Sequence, residues 1–124
     1  KAAALGLADK VIFTGNQADV SDYYQAMDFF VFPSVFEGLP GTVIEAQASG
    51  LRCLVSDSVT PEGLITELAQ AEPLSLGAGA WAANVLERKE YVRNQMTQAI
   101  KAAGFDVSDQ VKMLEKIYLQ ENCQ

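Results

Sequence analysis

Four apolar residues in unbroken series, Phe29-Phe30-Val31-Phe32, end at Pro33-Ser34, and a glycine-flanked loop then opens a helix-like stretch from Gly41 or Thr42 to Ser49. A short, uniformly apolar run implies a strand covered on both faces, because a strand with one wet face alternates. Val11-Ile12-Phe13, closed by the turn cluster Thr14-Gly15-Asn16, and Cys53-Leu54-Val55 read the same way. Helices are expected between and after these runs. Lys1 to Leu5 reads as a helix end stopped by Gly6, and Val20 to Met27 as a helix capped by Asp19 or Ser21. A helical turn near Pro61 to Leu68 leads to a short strand around Pro73-Leu74-Ser75. Helix then predominates, from about Ala78 to Ala102 in one or two pieces and from Ser108 to Leu119.

Strands alternating with helices imply a parallel sheet with right-handed crossovers. The expected fold is therefore α/β, a partial Rossmann-like sheet of three to four strands with helices on both faces. In such sheets ligands bind beyond the carboxyl ends of the strands, so the loops after Phe13, Phe32 and Val55 are the ones to inspect. Three or four strands are few for a doubly wound domain. The chain is accordingly expected to be one truncated domain, residues 1–124, from a longer protein.

Composition removes several classes of function. A net charge of −7 is the wrong sign for a nucleic-acid surface, and any phosphate must be held by local geometry. No histidine occurs, which removes histidine acid–base chemistry and most zinc sites from this segment. Two cysteines, Cys53 and Cys123, are too few for a disulfide framework. The apolar part of Lys1 to Leu7 is too short for a signal peptide, and Phe29 to Phe36 is too short to cross a bilayer. A cytoplasmic location is the expectation.

The segment Pro33 to Gly50 carries the chemistry. Gly38 and Gly41 flank Leu39-Pro40, so the backbone can approach a ligand closely. The helix that follows has unpaired N–H groups and the positive end of its dipole at its start, a ready anion site. Glu37 precedes the helix and Glu45 lies inside it. In one continuous helix they would be roughly 12 Å apart. With Glu37 looped back they can face one ligand from opposite sides. Carboxylates suit vicinal hydroxyls, and an anion between two hydroxyl-rich rings describes a nucleoside diphosphate sugar. The plainer alternative makes Glu37 a solvated loop acid and Glu45 a first-turn acid favoured by the dipole. Residue chemistry alone leaves both open.

The stretch resembles the E-x7-E signature of the large retaining glycosyltransferase family of GT-B fold, the glycosyl transferases group 1. Val11 to Gly15 is similar to its strand-turn, and Tyr24-Gln25-Ala26-Met27-Asp28 to the helix end before Pro33-Ser34. Glu45-Ala46-Gln47-Ala48-Ser49-Gly50-Leu51 with Val55-Ser56-Asp57 resembles the capsular and exopolysaccharide branch. Gly104-Phe105-Asp106-Val107 and Leu114 to Tyr118 are similar to the family's carboxyl-terminal end. The resemblance implies the carboxyl-terminal, donor-binding domain of a bacterial hexosyltransferase that acts with retention, with a nucleotide-sugar donor and no cofactor or essential metal. A glycan or lipid-linked acceptor would sit on a separate amino-terminal domain. Peripheral association of the full-length enzyme with the inner face of the membrane stays open.

Carried over by position, Glu37 would contact the transferred sugar as the catalytic-site carboxylate. Backbone N–H groups of Gly38, Leu39, Gly41 and Thr42, around Pro40, would hold sugar or diphosphate oxygens. Glu45 would hold the ribose diol, and backbone at Gly15, Asn16 and Gln17 would lie near the base. Arg52 replaces a usual proline and reads as a tolerated residue at the start of a strand. The basic residues that neutralise the diphosphate are expected upstream of Lys1, so the isolated segment is expected to be inactive. Phe29, Phe30 and Phe32 read as core, Trp81 as packing its helix onto the sheet, and Glu87 to Arg93 as a solvated helix face. A response-regulator receiver would need an acidic pair after its first strand, where this chain has Thr14-Gly15-Asn16. A non-catalytic sugar-nucleotide-binding or interaction domain of the same fold remains the alternative.

Overall fold

A computed structural model describes residues 1–121 of the chain. Three parallel strands form its sheet in the order β1 (Phe30–Phe32), β2 (Cys53–Ser56), β3 (Ala69–Glu72). Phe30 pairs with Cys53, and Cys53 in turn with Ala69. Among the described residues five α-helices accompany them: α1 (Ser21–Ala26), α2 (Gly41–Ala48), α3 (Gly77–Arg88), α4 (Thr97–Ala102) and α5 (Val107–Glu121). This is the expected α/β class.

The central strand β2 is buried along its whole length. Cys53 and Val55 of β2 join Tyr24, Val43, Ala46, Leu51 and Val59 in the main core. Side chains of β1 alternate across the sheet. Phe30 and Phe32 pack on the core with Tyr24 and α2, while Val31 lines a groove with Trp81, Val85 and Leu86 of α3. Helices therefore flank both faces. The Trp81 indole N–H donates to the Pro73 carbonyl at 3.1 Å, which ties α3 to the loop leaving β3.

Several expectations need correction. Val11-Ile12-Phe13 is not a strand, and Ile12 and Phe13 are 87% and 84% exposed. Strand residues need a ladder partner, and these pair with none of the three strands. The strand expected at Pro73 lies earlier, at Ala69–Glu72, and Leu74–Leu76 is a 3-10 turn. Proline has no N–H for a ladder, and the true strand interleaves Gln70 and Glu72 with alanines, as an edge strand with partial cover does. Between Pro61 and Leu68 only Pro61–Gly63 is helical, as a 3-10 turn, and Lys1 to Leu5 holds only the turn Ala3–Leu5, stopped by left-handed Gly6. Val31 is 44% exposed, so α3 covers the second face of β1 only in part, not fully as its composition implied.

Arg93 is not on a solvated helix face. It lies in the loop between α3 and α4, and its guanidinium donates to the carbonyls of Ser49 (2.7 Å), Tyr24 (2.6 Å), Gln25 (3.1 Å) and Met27 (3.1 Å). Those carbonyls belong to the carboxyl ends of α1 and α2, where the dipoles favour a cation. Asp19 does act at the start of α1, accepting the Ser21 N–H at 2.9 Å. Cys53 is buried with its thiol free, and Cys123 lies outside the described residues. Among the described residues no helix is long and apolar enough to cross a membrane.

Candidate functional site

The loop leaving the carboxyl end of β1 descends to Pro40, whose carbonyl accepts the N–H groups of Val43 (3.0 Å) and Ile44 (3.3 Å). Pro40 is buried against Gly63, where an added Cβ would come within 2.7 Å of the proline ring. Gln47, fully buried on α2, fixes this floor. Its Nε2 donates to Gly63 O at 2.7 Å, and its Oε1 accepts the N–H groups of Ile65 (3.0 Å) and Thr66 (2.9 Å). Sequence reasoning assigned Gln47 no role. A polar residue among the apolar positions of the helix was the available signal, because a buried amide must satisfy its hydrogen bonds.

The outer side of the same helix start is open. The N–H groups of Gly38, Leu39, Gly41 and Thr42 make no hydrogen bond among the described residues. A Cβ built on Gly38 or Gly41 meets nothing within 4 Å, and neither glycine has positive φ. The fold therefore does not require glycine at either position. What glycine leaves there is unshielded backbone at a helix amino terminus, the geometry that suits an anion.

Neither glutamate is a freely solvated acid. Glu37 is half-buried, and its Oε1 accepts the Ser34 hydroxyl at 2.8 Å. That hydroxyl also reaches Phe36 O at 3.2 Å, and having one proton it serves one acceptor at a time. Glu45 is exposed, at the fifth position of α2 rather than in its first turn, beyond the reach of a strong dipole effect. Its Oε2 accepts the Tyr24 hydroxyl at 3.0 Å. Tyr24 is buried with its ring edge-on to Phe30, centroids 5.9 Å apart. Burial, with the Glu45 carboxylate beside it, pushes the phenol up to about 12, so it remains a proton donor at neutral pH.

Gly15, Asn16 and Gln17 line a cleft of about 440 Å³ together with Tyr24, Phe32 and Thr42. Gly15 takes the left-handed conformation, φ 65°, which glycine adopts without strain. Glu37, Gly38, Leu39, Pro40 and Gly41 do not line this cleft. Thr42 and the Tyr24–Glu45 pair connect the two groups, one at the helix start and one above the aromatic floor. In the sequence Tyr24 reads only as part of a helix end. A contact across 21 positions leaves no local signal.

Arg52 stands at the opposite end of the sheet. Its N–H donates to the Tyr91 hydroxyl at 3.0 Å, and its guanidinium lies 4.6 Å from the Tyr91 ring centroid and donates to Arg88 O. That agrees with a structural residue at the start of β2. Burial pushes the Cys53 thiol up to about 12, which leaves it protonated and unreactive at neutral pH.

Comparison with known proteins places this sequence in a family. The chain is 35% identical over 120 residues to a protein of Bacillus subtilis (strain 168) that carries the glycosyltransferase name EpsF, covering 90% of this chain and 30% of that protein. It is 33% identical over 78 residues to the lipopolysaccharide core biosynthesis mannosyltransferase LpsB of Rhizobium meliloti (strain 1021), 63% of this chain and 22% of LpsB. An Escherichia coli UDP-Gal:alpha-D-GlcNAc-diphosphoundecaprenol alpha-1,3-galactosyltransferase is 38% identical over 53 residues, 43% of this chain and 14% of the enzyme. The chain thus spans less than a third of the length of these relatives. No solved structure matches it significantly. The family model for glycosyl transferases group 1 matches residues 1–87, and the chain belongs to that family.

Proposed function

We propose that this chain is the donor-binding part of a retaining glycosyltransferase that transfers a sugar from a nucleoside diphosphate sugar to a glycan or lipid-linked acceptor in cell-surface polysaccharide synthesis. The observation that carries the proposal is the open start of α2. N–H groups at Gly38, Leu39, Gly41 and Thr42, unpaired among the described residues, fall in the chain between two hydrogen-bonded carboxylates, Glu37 and Glu45. The relatives' names support the substrate class, since they include core-polysaccharide and diphosphoundecaprenol-sugar transferases. The lipid-linked acceptors in two of those names are the ground on which we propose that the full-length protein acts in the cytoplasm at the inner face of the membrane.

In this reading the diphosphate lies at the start of α2. The N–H groups and the helix dipole stabilise the negative charge that grows on the leaving group as the sugar passes through an oxocarbenium-like state. Glu37, restrained by Ser34, orients the sugar by its hydroxyls. Glu45 accepts hydrogen bonds from the ribose diol. The chain has nine Lys and Arg against 16 Asp and Glu. We assign charge neutralisation of the diphosphate, and the acceptor site, to the rest of the enzyme.

Two variants of the full-length enzyme test this. Glu45→Ala should weaken the intact donor and the free nucleoside diphosphate alike, by roughly ten- to a hundredfold, the effect of losing hydrogen bonds to a charged group. Glu37→Gln should lower turnover by roughly ten- to a thousandfold while leaving free-nucleotide affinity almost unchanged. Calorimetric titrations with both ligands read the pattern. Unchanged donor binding by Glu45→Ala, or equal loss of nucleotide binding and turnover in Glu37→Gln, removes the respective assignment. This segment alone should release no nucleotide in an acceptor-dependent way.

A further inference from the structure

The Glu45 carboxylate is not left to find its own orientation. A glutamate side chain on an exposed helix face samples many rotamers, and ordering it on binding costs affinity. Here the hydroxyl of a buried tyrosine fixes one oxygen: Tyr24 Oη donates to Glu45 Oε2 at 3.0 Å. Tyr24 is itself held from two directions. Its ring packs edge-on against Phe30, which stacks on Phe32 at 6.0 Å between centroids. Its carbonyl accepts a 2.6 Å hydrogen bond from Arg93. Tyr24 as a whole is 6% exposed, and its ring cannot swing away without opening the core. Among the described residues Oε1 of Glu45 accepts no hydrogen bond, so the tyrosine bond leaves one oxygen wholly available and directs it.

Resting on the reading of Glu45 as the ribose ligand, we infer that Tyr24 is a positioning residue that presets the Glu45 carboxylate for a vicinal diol and so makes the site selective for ribonucleotides over 2′-deoxyribonucleotides. A bidentate acceptor gains from both hydroxyls of a diol only when its oxygens are already aligned with them. Without the tyrosine hydroxyl the carboxylate can still accept a single hydrogen bond. It then loses more affinity for the diol than for a lone 3′-hydroxyl. Tyr24 also lines the cleft shared with Gly15, Asn16 and Gln17, so its hydroxyl acts between the two parts of the site.

The test uses the full-length enzyme with UDP, GDP and ADP. The diphosphate that raises its thermal midpoint most is titrated calorimetrically beside its 2′-deoxy counterpart. The wild type should prefer the ribonucleotide by about tenfold or more. Tyr24→Phe, which keeps the ring and its packing, should lower ribonucleotide affinity by about three- to tenfold and change 2′-deoxynucleotide affinity by less than about twofold. A merely structural tyrosine would weaken both ligands equally or neither, so an unchanged preference in Tyr24→Phe overturns the inference. Glu45→Ala separates the two levels of the argument. If it leaves the ribose preference intact, the ribose assignment of Glu45 fails first. If it abolishes the preference and Tyr24→Phe does not, only the positioning role fails. In the Glu45→Ala background Tyr24→Phe should have no further effect on either ligand, and a further loss confined to the ribonucleotide also counts against the proposal.

Discussion

At its carboxyl end α2 has its last carbonyls occupied. Those of Glu45, Ala46 and Gln47 take the N–H groups of Ser49, Leu51 and Gly50, and the carbonyls just beyond the helix, of Ser49 and Gly50, take Arg93 and Tyr91. At its amino end four nearby N–H groups donate to nothing among the described residues. The glycines divide the same way. Gly50 has φ 77°, and a Cβ there would lie 2.2 Å from Asn94 O, whereas a Cβ on Gly41 touches nothing within 4 Å. One helix thus has an end that the fold has closed and an end that the fold has left reachable. The contrast separates the glycines that packing requires in this chain from those that it leaves optional. It depends on what a methyl group would meet, not on the residue type.

The largest expected effect lies at the closed end. Gly50→Ala adds left-handed backbone strain to a collision with the loop between α3 and α4. It should destabilise the full-length protein by about 2–5 kcal/mol, the sum of ordinary costs for a left-handed non-glycine residue and for overpacking. Urea unfolding reads it as a shift in midpoint. A variant within about 0.5 kcal/mol of wild type would show that the loop yields freely, and the closed end would not be closed.

Arg93 comes next. Arg93→Ala removes one charged donor from four carbonyls at the ends of two helices. Because Arg93 is only half-buried, water replaces part of what is lost, and about 1–3 kcal/mol is expected. Arg93→Lys should recover less than half of it, since an ammonium lacks the planar fork that reaches both helices. Full rescue by lysine would reduce the clamp to a point charge near two dipoles. Tyr91→Phe is milder. It removes a hydroxyl that donates to Gly50 O and accepts from Arg52 N–H but keeps the ring under the Arg52 guanidinium, so about 0.5–1.5 kcal/mol is expected.

The open end was the more legible of the two in the sequence. Glycines spaced around Leu39-Pro40, a helix start and two glutamates are local signals, and the helix from Gly41 forms as its residues imply. The closed end depends on Tyr91 and Arg93 reaching back about 40 positions or more to Gly50, Ser49 and Tyr24, which no local pattern announces. Charge spacing suggested a solvated helix there because it carries no information about distant carbonyls. Strand reading failed in both directions for one reason. Val11-Ile12-Phe13 has strand composition without a pairing partner, and Ala69–Glu72 has a partner without strand composition. Pairing is a tertiary property. The Tyr24–Glu45 bond is hidden in the same way, although both residues lie in recognisable motifs.

The smallest expected change in stability is the most informative about function. Gly41 begins α2 with ordinary negative φ and open space around the site of a Cβ, so Gly41→Ala should shift stability by less than about 0.5 kcal/mol, and in the stabilising direction, because alanine loses less backbone entropy than glycine on entering a helix. The same methyl group would occupy the approach to the unpaired N–H groups of Gly41 and Thr42. If a diphosphate uses that approach, Gly41→Ala should weaken a free nucleoside diphosphate by about tenfold or more while the protein melts at or slightly above the wild-type temperature. Gly50→Ala should show the reverse pattern: a lowered midpoint, with near-normal nucleotide affinity at temperatures where it remains folded. A Gly41→Ala variant that binds nucleotide like the wild type would mean that the open start of α2 is only solvent-facing. The anion would then have to be held elsewhere, and the contrast between the two ends would be one of packing alone.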